Sequence, residues 1–360
     1  APAPSITVSV PERADNFQLT DQTRLSHELH YFKDAKAIVL MSQINGSAAS
    51  RANAAQLEKL QTAYKANGVL FYMLNSKDSR DAAATEAKAQ GYDIPILLDE
   101  LQLVGESLGV QKEGEIFVVD PKNGFKIAYH GPLAETGAAL DAVVAGKPVA
   151  NARVEVKSGA NIAFPARAKA AEFKNIKYSG EITKILQDKC VTCHQNGGIA
   201  PFAMDSYDVV KTMAPMIRES VRSERMPPYF ADPHIGKFQN DQGMTPSQTT
   251  TLIHWLEAGA PRGTGEDFLA TQATTAPEWP SYLGKPDVIV DLPAFNVPAT
   301  GSGEDRNRRV EGPFKEDAGL RAISVKPGDR TVVHHVVSNH VPDPKLPRSK
   351  IPGGSVGSYT

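Results

Sequence analysis

Only two cysteines and two tryptophans occur in this 360-residue chain, and the scarcity of sulfur sets the first limits. Two thiols cannot build the dense disulfide framework of a small secreted scaffold, and no second cysteine pair is present to complete a four-thiolate zinc site. No apolar run approaches the ~20 residues that a membrane-spanning helix requires. An excess of one charge is missing too. The 39 Lys and Arg against 41 Asp and Glu leave a net charge of -2, without the basic footprint of a nucleic-acid binder. What remains is a globular composition long enough for two or three domains. The opening Ala1-Pro2-Ala3-Pro4 reads as a mature end left by cleavage at small residues.

Both cysteines fall in one run, Cys190-Val191-Thr192-Cys193-His194. A CxxCH segment is the attachment signal of a c-type haem. Two thiols three residues apart can add to the two vinyl groups of one haem as thioethers, and the adjacent imidazole then serves as proximal iron ligand. Alternative uses of the pair are a thioredoxin-type redox couple, half of a zinc site and a structural disulfide. A redox couple is expected in a βα turn, whereas this pair closes a helical stretch from Ser179 to Lys189. Covalent haem is an export-side modification in bacteria, so a periplasmic or extracellular location is expected.

From Asn16 to about Leu133, short apolar runs alternate with amphipathic stretches. Strands are expected at Ala37-Ile38-Val39-Leu40-Met41, at Val69 to Leu74, at Pro95 to Leu98, at Ile116 to Val119 and at Lys126 to Tyr129. Ala54, Leu57, Leu60 and Tyr64 recur at helical spacing and Gly68 stops them. This is the pattern of a parallel or mixed sheet covered by helices.

With Phe17 to Asp21 at its start and Glu115 to Asp120 before a hairpin, the segment resembles the redoxin branch of the thioredoxin-like fold. The family places a cysteine in the turn after the first core strand and a cis-proline before the Phe-Val-Val strand. Here the first stretch reads Asn45-Gly46-Ser47-Ala48-Ala49-Ser50 and the second Glu113-Gly114. Ser47 stands where the nucleophile belongs. A serine hydroxyl cannot replace a thiolate in disulfide exchange, so the expected role is docking or structure. His27, His30 and His130 are scattered, and solvated or core roles are expected for them ahead of a metal site.

Residues 134–174 turn to alanine, lysine and small polar residues, a helix end followed by a connector. Tyr207 to Glu224 reads as a helix kinked or divided by Pro215. Thr245-Pro246-Ser247-Gln248 carries an N-cap, a first-turn proline and a capping-box glutamine ahead of Leu252, Trp255 and Leu256. With CxxCH, Arg225-Met226-Pro227-Pro228 and Trp255-Leu256-Glu257-Ala258-Gly259, residues 175–263 resemble a mono-haem class I cytochrome c. That resemblance implies Met226 as the distal iron ligand. His234, Met244 and a five-coordinate iron are the alternatives.

After a Thr- and Ala-rich linker, Val288-Ile289-Val290, Phe295 to Ala299, Leu320 to Val325 and Thr331 to Val337 read as strands. Pro286-Asp287, Pro298-Ala299, Pro327-Gly328-Asp329 and Val332-Val333-His334-His335-Val336 resemble the first domain of the copper type II, ascorbate-dependent monooxygenases, the peptidylglycine hydroxylating family. The resemblance implies copper at His334 and His335. His340, six residues beyond His334, lies on the same strand face, and the final stretch from Pro347 looks like the middle of a domain.

The expected architecture is multidomain. It has an α/β thioredoxin-like domain over residues 1–150, a connector over 151–174, an all-α cytochrome c domain over 175–263, a linker over 264–285 and an incomplete all-β copper segment over 286–360. The expected function is single-electron transfer by haem c, coupled to the copper domain, with a redox protein or a small-molecule donor as partner. The competing expectation is an assembly or docking protein.

Overall fold

The computed structural model describes residues 8–229, 231–239, 241–271, 279, 281–301, 306–308, 310–311, 313, 319–329, 332–333, 335–340 and 354–359, with the side chains of 281, 340 and 354–359 excepted. The chain divides into two compact units, residues 1–185 with 211–264, and residues 186–210 with 265–360.

In the first unit, a hairpin of β1 (Gln18–Thr20) and β2 (Ser26–Glu28) precedes a five-stranded sheet. Its strands are β3 (Ala37–Ser42), β4 (Val69–Asn75), β5 (Ile96–Leu98), β6 (Glu115–Asp120) and β7 (Lys126–Pro132), in the order β5-β4-β3-β6-β7. β3, β4 and β5 are mutually parallel, β6 is antiparallel to β3, and β7 is antiparallel to β6. Every residue of β3 is buried, as a central strand covered on both faces requires, and this explains its unbroken apolar run.

Alternation along the strands separates two cores. Val39, Met41, Phe71 and Met73 face α1 (Ala48–Tyr64), α2 (Arg80–Gln90) and α4 (Thr136–Val144). Ile38, Leu40, Tyr72 and Leu74 face α3 (Leu103–Leu108), with Phe17, Leu29 and Phe125. The five expected strands and the α1 helix are all present.

The connector is more ordered than its composition suggests. Residues 152–154 run beside β7, with His130 N donating to Ala152 O (2.9 Å) and Val154 N to His130 O (2.8 Å). Ile162 and Phe164 are buried in the second core, after which come α5 (Pro165–Ala168) and α6 (Ala170–Phe173). The weak periodicity concealed two anchoring apolar residues.

Helical segments follow. α7 (Thr183–Leu186) continues into a wider helical turn over Gln187–Val191. The expected helix over 207–224 is divided into α8 (Tyr207–Thr212) and α9 (Ala214–Arg222), with Pro215 in the first turn of α9, because proline tolerates that position and no later one. α10 (Pro246–Glu257) has the full capping box between Thr245 and Gln248. Trp255 is fully buried in the first unit, its Nε1 donating to Pro261 O at 3.0 Å.

The second unit also contains α11 (Phe268–Thr271) and a hairpin of β8 (Val336–His340) and β9 (Gly354–Tyr359). Here the sequence expectation is corrected in part. Residues 288–290, 295–299 and 320–325 are not strands, although their alternation suits one. Val288, Ile289, Val290, Leu292, Phe295 and Val297 are 40–75% exposed. A strand persists only with a hydrogen-bonded neighbour and a layer to bury its apolar face, and among the described residues these segments have no ladder partner. The expected strand over 331–337 starts only at Val336.

Candidate functional site

The motif residues of the second unit lie at the end of a helix. Cys193 N and His194 N both donate to Cys190 O, at 3.1 and 2.9 Å, so the backbone turns tightly and keeps the three side chains adjacent. Both thiols are free. Burial, with the neighbouring Cys193, pushes the Cys190 thiol up to about 12, which leaves it protonated at neutral pH and unsuited to thiolate chemistry.

The loop after the motif folds back on it. Ala200 N donates to Cys193 O (3.2 Å) and Met204 N to His194 O (2.8 Å). A Cβ on Gly198 would collide with Cys193 O, so this turn needs glycine. His194 is only 8% exposed, and its Nδ1 pairs with Phe202 O at 3.0 Å. A carbonyl can only accept, so Nδ1 carries the proton and Nε2 keeps its lone pair for a metal. Burial lowers the imidazole pKa, opposed by the Phe202 bond, and so favours the neutral, ligating form. The residues fit a haem c.

Met226 belongs to the first unit. Its amide donates to Ser220 O at 3.1 Å and its side chain is 41% exposed, a loop position without helical constraint. His234 is committed elsewhere, its Nδ1 to Asp232 Oδ1 (3.0 Å) and its Nε2 to Glu100 Oε2 (2.9 Å). His334 lies outside the described residues, as does the side chain of His340, while His335 is exposed just before β8. His27 pairs with Asp21, His30 stacks on Phe125 and His130 lies by Glu115. Among the described residues no three His, Cys, Asp or Glu side chains converge as a metal site.

The nucleophile position of the redoxin-like domain holds a polar cluster. Ser47 is the N-cap of α1, accepting from Ser50 N. Ser50 Oγ donates to Glu113 Oε2 at 2.6 Å and accepts from Ile44 N at 3.0 Å. Burial opposes ionisation of Glu113, yet hydrogen bonds from Ser47, Ser50 and the Ala160 amide, with the charge of Lys77, hold its pKa below the ordinary 4.5. A carboxylate at a helix N-terminus also suits the dipole. Ser50 and Glu113 were not legible as partners. The Ser47 to Ser50 spacing was the available signal, since it repeats CxxC with oxygen for sulfur.

Because folding lowers the Glu113 pKa, its stabilising contribution is complete above pH 4.5 and is lost as the pH falls through the lower folded value. A carbon-detected NMR titration should place the Glu113 midpoint below the ordinary glutamate value. A midpoint above it would show that burial outweighs the serine bonds.

The same domain also meets the helices of the first unit. Arg80 forms a two-point pair with Asp232, at 2.6 and 3.1 Å. His254 Nε2 lies 2.9 Å from Glu106 Oε2 with its ring stacked on Phe173. Burial lowers the His254 pKa, but the Glu106 bond and charge outweigh it, for a net rise. Arg222, nearly enclosed, donates to Ser107 Oγ (2.7 Å) and lies 3.3 Å from Glu257 Oε1. Arg218 joins Asp15 and Glu257 at 2.7 and 2.8 Å.

No curated protein matches this chain. Residues 10–129 match the AhpC/TSA family model. Among solved structures, a hypothetical protein of Sinorhizobium meliloti is 27% identical over 44% of this chain and 95% of its own, with a TM-score of 0.39. Peroxidoxin BcpB of Mycobacterium tuberculosis is 18% identical over 39% and 98%, with a TM-score of 0.34. The thioredoxin domain of a thiol-disulfide oxidoreductase of Bacteroides vulgatus is 20% identical over 34% and 89%, with a TM-score of 0.31. The family match thus marks residues 10–129 as an AhpC/TSA-type, thioredoxin-like redoxin domain, about a third of this chain.

Proposed function

We propose that this chain is an exported single-electron carrier with one haem c held by Cys190 and Cys193 and ligated by His194, and that its redoxin domain is a docking module without catalysis. The observation that carries the reading is the His194 Nδ1 bond to Phe202 O, which presents Nε2 as a ligand immediately beside two free thiols. When bound, the haem supplies reversible one-electron chemistry at iron. The protein's share is to hold the imidazole in one tautomer, to keep water from the buried ring and to supply a distal ligand. The docking role is supported by the ion pairs from Arg80 to Asp232 and from His254 to Glu106, and by the lack of any cysteine outside the CxxCH run. The cytochrome c assignment of residues 175–263 and the periplasmic or extracellular location belong to the same proposal. Coupling to copper at His334 and His335 rests on the sequence resemblance alone.

Metal content and optical spectra of the purified chain test the reading directly: an iron-free protein lacking haem absorbance after expression with haem-maturation machinery overturns it. Met226 is the proposed distal ligand. Met226→Ala should abolish the ferric sulfur-to-iron charge-transfer band and lower the reduction potential, because a thioether stabilises the reduced iron. An unchanged band and potential would transfer the role to another residue, with Met244 before His234, whose two ring nitrogens already face carboxylates.

A further inference from the structure

We infer that the connector is a strap that seals the N-terminus of α1, so that the place where the redoxin domain could receive a substrate is filled by the chain's own residues 157–162. The observations are independent of the haem. Glu113 N donates to Ala160 O at 3.0 Å, Ile162 N donates to Gln111 O at 2.8 Å, and Lys112 faces Asn161 as an antiparallel bridge. Lys112 Nζ reaches Lys157 O at 3.3 Å. Residues 157–162 thus satisfy an open backbone edge in the way an added strand would.

The side chain of Glu113 extends the seal to the helix. One carboxylate oxygen accepts from Ala160 N at 2.9 Å and the other from Ser50 Oγ at 2.6 Å. The positive end of the 17-residue α1 helix favours an anion, and the Glu113 carboxylate is tied to its first turn through the Ser50 hydroxyl. Ser50 and Glu113 are only 1% and 3% exposed. Close approach of the strap depends on Gly159, which has φ +105° and whose added Cβ would stand 2.5 Å from Glu113 O.

Both ends of the strap are fastened. Upstream, residues 152–154 lie along β7. Downstream, Phe164 is buried against Gly105, and Arg167 Nη2 donates to the Gly105 and Glu106 carbonyls at 3.1 Å each, at the C-terminal end of α3. An extended peptide or an anionic group approaching α1 would have to displace a segment held on both sides. The strap therefore occludes this end of α1.

Thiol accessibility in the full-length chain tests this, with the parent protein as the reference for Cys190 and Cys193. The Ser50→Cys thiol should react with a soluble disulfide reagent about a hundredfold more slowly than an Ala49→Cys thiol, which is exposed on the same turn. Adding Gly159→Val should bring the two rates within a few-fold of each other. Equal rates without the valine, or protection that survives it, would overturn the strap. Since Gly159→Val could disturb folding, hydrogen exchange of the unmodified chain gives a second reading: Ile162 N and Glu113 N, which donate to carbonyls across the edge, and Ala160 N, which donates to the carboxylate, should each be slowed about a hundredfold against free-peptide rates. Exchange of all three at free-peptide rates would also overturn it.

Discussion

After expression with haem-maturation machinery, the denatured polypeptide should carry the mass of one haem, and the double substitution Cys190→Ala, Cys193→Ala should carry none. Thioether bonds survive denaturation, whereas a haem held only by axial ligands is released when the fold is lost. Denaturing mass spectrometry reads the difference directly. The single substitution His194→Ala separates attachment from ligation, because it leaves both sulfurs in place while removing the imidazole that Phe202 O orients. It should retain some covalent haem but lose the spectrum of the parent. An unmodified mass for the parent chain would remove the basis of the electron-transfer proposal, and the free thiols would then need another explanation.

Arg222→Ala should lower the stability of the first unit by about 3 kcal/mol in urea denaturation. The guanidinium is nearly enclosed and binds Ser107 Oγ, Leu103 O and Glu257 Oε1, so truncation removes bonds on both α3 and α10 and leaves a void between them. Arg222→Met is the informative companion. It fills most of the void without burying a charge, and since burial already lowers the Arg222 pKa, it should cost clearly less than alanine. If alanine leaves the urea midpoint in place, the contact of α9 with the redoxin domain contributes nothing to folding, and the docking role is left to the Arg80–Asp232 and His254–Glu106 pairs.

The redoxin domain was legible because its elements follow local rules. The run Ala37 to Met41 is apolar without alternation, which marks a strand buried on both faces. Gly68 ends the helical region with φ +72°. The capping box at Thr245 and Gln248 is a four-residue pattern whose two hydrogen bonds form within one turn, so no distant partner is needed to recognise it. The C-terminal segment shows the reverse. Val288 to Val290 has strand composition, yet alternation cannot supply the neighbouring strand that a ladder requires, and these residues are exposed without one.

What the sequence by itself determined is pattern carried by contiguous residues. The CxxCH run, the serine in place of a nucleophile and the apolar periodicity of the sheet need no knowledge of distant contacts. Tertiary structure alone decided the pairings across long separations. Ser50 meets Glu113 at a separation of 63 residues, Glu106 meets His254 at 148, and Arg80 meets Asp232 at 152. Each joins groups whose local sequence would suit an ordinary solvated surface equally well, because the strength of a polar pair depends on burial and on the partner, and neither is a property of the nearby chain.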